Sequence, residues 1–264
     1  MAASRWRYLP PNAVTACSLV FATVAVQTAV SGRPVEAAWW GLLVMLTDKL
    51  DGLLAGLLNA RSSFGVQLDS LADLVAFGVV PATVWWAFFS TRPQLGWAEG
   101  WGRLGLRAIC CAYVVMTGLR LARFNVIATE KGPQPHYTGV TSTMTAGTLL
   151  SLFLATLKYS APELTAPEQL DHWRLLGGLR LDGLVRLLPV ILLVGGAGML
   201  SGLRVPRLGR AFHPVATAIL LVAVAIGYAA GITRRLPEYL VGGGLYYLGI
   251  CIAYHLRTRG RRPA

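Results

Sequence analysis

The sequence predicts an all-α fold, a polytopic membrane helix bundle that forms one domain over residues 1–264. Of the 264 residues, 55% are hydrophobic and 14% are charged, and the mean hydropathy is +0.54. Soluble globular domains carry about 25% charged residues, so this composition excludes an ordinary soluble enzyme and a disordered chain. The hydrophobic residues also fall into about eight separate stretches, each long enough for one helix to cross a bilayer.

Basic residues outnumber acidic ones, with 24 Lys and Arg against 12 Asp and Glu and a net charge of +12. In a membrane protein such an excess concentrates in cytoplasmic loops and on anionic headgroups. The charge therefore indicates topology, and we expect no nucleic acid among the partners.

The transmembrane helices are predicted from stretches of about 20 apolar residues, the length that crosses a bilayer core about 30 Å thick. Short polar segments with Gly, Pro and Arg separate these stretches. The fifth stretch is the shortest, and the longest polar segment, 158–182, has the acidic composition of a solvated loop. The predicted spans are 13–31, 37–58, 66–90, 104–127, 140–157, 183–203, 212–231 and 237–255.

The N-terminal residues 1–12 are expected to lie along the cytoplasmic headgroups as an interfacial segment. Their run Arg5-Trp6-Arg7-Tyr8-Leu9 mixes basic and aromatic side chains, which favours that position. The apolar run that follows is longer than the 7–15 residues of a signal-peptide core. We therefore expect an uncleaved first helix.

The orientation follows from the positions of Lys and Arg in alternate loops. More of them fall in the loops on the N-terminal side than in the opposite set, and the tail Arg257-Thr-Arg-Gly-Arg-Arg262 is strongly basic. The counts predict that both termini and the turn at 59–65 lie in the cytoplasm, in a protein of the cytoplasmic membrane.

Four aspartates lie in the hairpin formed by the second and third predicted spans, residues 37–90. At 100° per residue, Asp48 and Asp51 are about 60° apart on one helix, and Asp69 and Asp73 are about 40° apart on the next. Each helix therefore offers a face with two carboxylates. The short turn between the helices brings the two faces together near the cytoplasmic surface.

Carboxylates at membrane depth are costly, which makes them candidates for function, and four of them would repel one another strongly in a low dielectric. One or two divalent cations would remove that repulsion, and all-oxygen ligation suits Mg²⁺ or Mn²⁺. Small residues among the carboxylates allow a substrate to approach the backbone closely. The residues alone thus predict a metal-dependent site for a phosphate-bearing lipid, and they leave the reaction open. The small residues are Gly52, Ala55, Gly56 and Gly65.

The same residues resemble the signature of the CDP-alcohol phosphatidyltransferase family, D-x2-D-G-x2-A-R-x8-G-x3-D-x3-D. All spacings and seven of its eight fixed positions are present, from Asp48 to Asp73; at the eighth, Gly56 stands in place of the family's Arg. Further segments resemble the phosphatidylserine synthase branch of the family. These are Pro11-Asn12, Asp69–Ala82, Arg120–Asn125 and Tyr137–Gly139.

The resemblance implies a six-helix core with two added helices, and transfer of a phosphatidyl group from CDP-diacylglycerol to an alcohol with release of CMP. It implies Asp48, Asp51 and Asp69 as metal ligands, and Asp73 as general base with a share in metal binding. It also places Gly52 and Ala55 beside the cytidine. We further expect a homodimer.

The acceptor that we expect is L-serine, which makes phosphatidylserine the product. Arg120 and Arg123 are candidates to meet the serine carboxylate, although either arginine would also serve as a positive anchor at the cytoplasmic end of the fourth span. Arg61 is a candidate to replace the arginine that is Gly56 here, and Gly65 belongs to the same binding region.

Other functions stay open at this point. The same reaction could use glycerol phosphate, inositol phosphate or choline, and Gly56 is compatible with a non-catalytic relative. A different class, an ion-coupled transporter, would often show an internal repeat, and the sequence has none.

Overall fold

The apolar stretches of the sequence form helices in the computed structural model, which describes residues 9–57, 62–131, 136–164, 175–206, 225–227 and 229–259. The helices are α1 (Leu9–Val30), α2 (Pro34–Leu57), α3 (Ser63–Phe89), α4 (Gly100–Lys131), α5 (Ser142–Lys158), α6 (Asp182–Leu200) and α7 (Pro237–Arg259). Residues 225–227 and 229–232 are also helical. Two short strands, β1 (His136–Thr138) and β2 (Arg204–Pro206), form an antiparallel pair.

Five of these helices, α1, α3, α4, α6 and α7, are long and apolar enough to cross a membrane. They match the first, third, fourth, sixth and eighth predicted spans, and the predicted all-α membrane bundle is confirmed. The chain is an integral membrane protein.

The other predicted spans differ from these five. Helix α2 is 24 residues long but carries acidic residues in its second half. Helix α5, in the fifth span, has only 17 residues. Most of the seventh span, and the interfacial segment before Leu9, lie outside the described residues.

Helix α3 changes its winding directly after Asp73. Its first part, Ser63–Asp73, is α-helical, Leu74–Val79 is π-helical, and the helix then continues as an α-helix to Phe89. Pro81 has no N–H to donate to the preceding turn, and the N–H of Val80 donates to the carbonyl of Val75, five residues back. Such π segments recur at functional sites in helices.

The far end of α3 is fixed by aromatic packing. The Trp85 ring lies 5.0 Å from that of Phe153 on α5, and the Phe88 ring lies 5.1 Å from the same residue. The Trp85 indole N–H also donates to the carbonyl of Leu188 on α6 at 3.0 Å. Since Trp85 is 12 residues beyond Asp73, this cluster lies about 18 Å along the helix from the acidic residues.

The β1–β2 pair closes the opposite end of the bundle. Tyr137 pairs with Val205, so the chain before α5 is joined to the chain after α6. Gly139 follows with a φ of +81°, and a Cβ there would overlap the carbonyl oxygen of Met199. Only glycine fits this left-handed, closely packed position.

A buried ion pair joins α5 to α7. Lys158 Nζ lies 2.9 Å from Glu238 Oε1, and the two side chains are 2% and 9% exposed. Lys158 ends α5 and Glu238 begins α7, so the pair fixes the two helices at the end of the bundle far from Asp73. Removing one partner would leave an uncompensated buried charge.

We expect Lys158→Met to lower the free energy of unfolding by about 3–5 kcal/mol. The double variant Lys158→Met/Glu238→Gln should recover much of that loss, since it removes both charges. Unfolding of the purified protein in detergent measures both. The control is Arg33→Gln, which breaks a solvent-exposed pair with Glu36 and should cost less than about 1 kcal/mol. Native stability in the single Lys158 variant would contradict the expectation.

Candidate active site

Three carboxylates meet where α2 and α3 face each other. Asp48 comes from α2, Asp69 and Asp73 come from α3, and one oxygen of each lies within 4.8 Å of the others. Asp69 and Asp73 share a face of α3 because they are four residues apart. All three side chains are half-buried. The structure thus brings together three of the four aspartates that the sequence singled out.

This carboxylate group fits a divalent metal ion. Asp73 interacts electrostatically with both Asp48 and Asp69, and one oxygen of each lies within 4.8 Å of the others. Carboxylates this close require a proton or a cation between them. Oxygen ligands of a Mg²⁺ ion lie about 3–4 Å apart, so small side-chain rotations would let all three bind one ion.

Gly65 lies in the first turn of α3, where α1 approaches. Its N–H donates to the Ser62 hydroxyl at 3.0 Å, the N-cap bond of the helix. A Cβ on Gly65 would lie 2.9 Å from Asn12 Oδ1. The structure therefore gives this glycine a packing role, between the start of α1 and the start of α3.

Several residues that the sequence predicted for the site cannot be placed. The backbone of α2 is described as far as Leu57, but the side chains of 49–57 lie outside the described residues, as does all of 58–61. The roles of these residues stay predictions. They are Asp51, Gly52, Ala55, Gly56 and Arg61.

The two candidate arginines of α4 make different contacts in the structure. Arg120 donates to the Ser142 hydroxyl at 2.9 Å, lies over the Phe124 ring at 5.6 Å and interacts electrostatically with Asp73. Arg123 is exposed and donates to the Leu200 carbonyl at 3.5 Å. Of the two, Arg120 belongs to the carboxylate site and Arg123 contacts the end of α6.

A polar contact next to the site was missed from the sequence. The Asn125 amide on α4 donates to the Ser70 hydroxyl at 2.8 Å, and Ser70 directly follows Asp69. The bond holds α4 against the acidic part of α3. The sequence did mark Asn125, as the polar last residue of the segment Arg120–Asn125. It could not show the partner, because Ser70 lies 55 residues away.

A family model for CDP-alcohol phosphatidyltransferases matches residues 8–197, a range that contains the carboxylates, Arg120 and Ser142. The chain belongs to the CDP-alcohol phosphatidyltransferase family. The resemblance seen in the sequence is confirmed. Strand β2 and helix α7 lie beyond the segment that matches the family model.

Curated relatives in bacteria and yeast carry the name CDP-diacylglycerol–serine O-phosphatidyltransferase. The protein of Helicobacter pylori strain 26695 is 37% identical over 126 residues, which is 48% of this chain and 49% of the relative. The protein of Mycobacterium bovis is 35% identical over 127 residues, 48% of this chain and 41% of the relative. That of Saccharomyces cerevisiae is 33% identical over 180 residues, 65% of this chain and 58% of the relative. The chain thus spans about half the length of these relatives.

We expect the purified protein to bind Mn²⁺, used as a probe, and Asp69→Asn to weaken this binding. Loss of a charged ligand should cost more than the about 10–100-fold lost when only an outer partner of a ligand is removed. Calorimetry or Mn²⁺ electron paramagnetic resonance gives the affinity without any need for activity.

The matched control is Glu163→Gln, an exposed acidic residue between α5 and α6. Its Mn²⁺ affinity should equal that of the native protein. An equal loss in both variants would show that Mn²⁺ binds through general surface charge, and would contradict the site.

Proposed function

We propose that the protein transfers the phosphatidyl group of CDP-diacylglycerol to L-serine, releasing CMP and forming phosphatidylserine. The observation that carries the proposal is the carboxylate group of Asp48, Asp69 and Asp73 with Arg120 beside it. The group lies within the part of the chain that matches the family. The names of the relatives support serine as the acceptor.

The proposed cofactor is Mg²⁺ or Mn²⁺, held by Asp48, Asp69 and Asp73 together with Asp51. Bound there, the ion would neutralise charge on the pyrophosphate of CDP-diacylglycerol and on the departing CMP. The protein supplies the carboxylates in a fixed relative position, since two of them lie one helical turn apart and the third comes from the neighbouring helix.

Asp73 is proposed as the general base. Asp73 belongs to the carboxylate group and interacts with Arg120. A hydroxyl placed beside Asp73 would therefore also be next to phosphates bound at the metal site. A carboxylate in that position takes the proton of the hydroxyl as its oxygen attacks phosphorus.

Arg120 gives a physical reason to favour serine. In serine the hydroxyl and the carboxylate are separated by two carbon atoms, so a base and a cation for this acceptor must be close neighbours, as Asp73 and Arg120 are. An arginine binds a carboxylate through paired hydrogen bonds. Choline carries a positive charge, and Arg120 would repel it.

The proposal includes the location of the site at the cytoplasmic face of the cytoplasmic membrane, and assembly as a homodimer. The basic tail and the turn at 59–65 support that face through the positive-inside rule. The homodimer is an expectation from the family, and the mass of the purified protein in detergent tests it.

Labelled CDP-diacylglycerol should be converted to phosphatidylserine and CMP when L-serine and Mg²⁺ or Mn²⁺ are present. Replacing serine by glycerol phosphate, inositol phosphate or choline should give little lipid product. Excess EDTA should abolish the reaction, because the carboxylates of the site then lack their cation. Full turnover in EDTA would contradict the proposed need for a metal ion. Preference for another alcohol would contradict serine as the acceptor. No product with any alcohol would indicate a non-catalytic relative.

Arg120→Ala should raise the KM for serine about 10- to 100-fold, the effect of losing a hydrogen bond to a charged group worth about 1.5–3 kcal/mol. Arg123→Ala is the matched control, since it lies on the same helix and contacts a backbone carbonyl. Initial rates over a range of serine concentrations measure both. Equal effects in the two variants would show that these arginines act only as membrane anchors.

A further inference from the structure

Helix α7 lies outside the segment that matches the family, yet it is fixed against α5 over its first half and against strand β2 near its end. Glu238 pairs with Lys158 at one end. In the middle, a Cβ on Gly244 would overlap the Thr148 side chain, so the two backbones lie very close. At the other end, His255 Nδ1 accepts from the backbone N–H of Arg204 at 3.1 Å.

This docking brings Tyr247 to the start of α5. Tyr247 follows Gly244 by one helical turn, on the side of α7 that packs on α5, and its hydroxyl has Thr141 and Cys251 as polar neighbours. Thr141 directly precedes α5, but its side chain does not cap the helix. Tyr247 is half-buried, whereas its neighbour Tyr246 is 74% exposed.

The next residue, Ser142, holds Arg120. The start of α5 therefore lies between the side chains that α4 and α7 contribute: Ser142 accepts from Arg120, and Thr141 neighbours Tyr247. Arg120 interacts electrostatically with Asp73 and also with Tyr137 and Tyr247. The arginine thus lies among a carboxylate of the metal site and two phenols, one from β1 and one from α7.

We propose that Tyr247 is a positioning residue for the acceptor alcohol, so that α7 completes the acceptor side of the site. This inference rests on the proposed function and adds a specificity role for a helix outside the shared family core. A phenol beside Arg120 adds a hydrogen-bonding group without the negative charge that would compete with the acceptor carboxylate.

The surroundings of Tyr247 permit that role. Its polar neighbours Thr141 and Cys251 carry an uncharged hydroxyl and an uncharged thiol. Both are weaker hydrogen-bonding partners than a carboxylate, so neither would compete strongly with the acceptor for the phenol. The acceptor carboxylate would then be held by Arg120 and by Tyr247, while Asp73 faces the acceptor hydroxyl.

The test compares Tyr247→Phe with Tyr246→Phe in the full chain, by initial rates over ranges of serine and of CDP-diacylglycerol concentration. Tyr247→Phe should raise the KM for serine about tenfold, the effect of one lost hydrogen bond to a charged group. The KM for CDP-diacylglycerol and the affinity for Mn²⁺ should stay within about twofold. All three values should be native in Tyr246→Phe.

An unchanged KM for serine in an active Tyr247→Phe protein would overturn the inference and leave the proposed function intact. So would a fall in kcat alone or an equal loss in every constant, because these indicate a structural role in docking α7. If the native protein transfers to no alcohol, the proposed function fails and this inference fails with it.

A second variant serves if Tyr247→Phe does not fold. Thr141→Val removes the hydroxyl that neighbours the phenol and leaves α7 itself unchanged. It should raise the KM for serine in the same direction, by about threefold, with the KM for CDP-diacylglycerol unaltered. No rise in the KM for serine in this variant would count against Tyr247 in the same way.

Discussion

Mutual repulsion among the carboxylates of Asp48, Asp69 and Asp73 is the interaction that the rest of the site depends on. One oxygen of each lies within 4.8 Å of the others in a half-buried position, where water screens charge poorly. Such a group needs a proton or positive charge near it. Arg120 supplies part of that charge from α4, and a divalent cation bound at the proposed site would supply the remainder. In the proposed mechanism, relief of this repulsion would add to the binding energy of the metal, and the bound ion would favour a phosphate-bearing substrate, whose charge it shares.

Holding like charges together requires a rigid frame, and the structure places that frame at the other end of the bundle. Trp85 and Phe88 on α3 pack on Phe153 of α5, and the Lys158–Glu238 pair joins α5 to α7. Apolar burial and a compensated ion pair stabilise this end. The π segment Leu74–Val79 lies between the two ends of α3. The change in hydrogen bonding before Pro81 therefore falls after Asp73, outside the part of the helix that carries the aspartates.

Local periodicity explains why much of the fold and the metal group were predictable. Asp69 and Asp73 share a helix face by their spacing alone. The short turn after α2 brings that face back beside Asp48. The different positions of Arg120 and Arg123 were not predictable, because the position of Arg120 depends on Ser142 in another helix. The contact between Asn125 and Ser70 likewise spans 55 residues. The packing of Gly65 against Asn12 of α1 was not predictable either, because no spacing within α3 reveals it; the expected place of Gly65 in the binding region stays a prediction.

The position of α7 suggests how one scaffold serves different acceptors. The proposed metal ligands and base lie on the hairpin of α2 and α3, within the segment that matches the family. The proposed acceptor side draws on residues from four further elements, including Arg120 on α4 and Tyr247 on α7. On this proposal, a change of acceptor needs new polar groups around Arg120 and leaves the three carboxylates in place. Substitutions of Tyr247 would then alter the choice of alcohol, because they remove no group that balances the charge of the carboxylates.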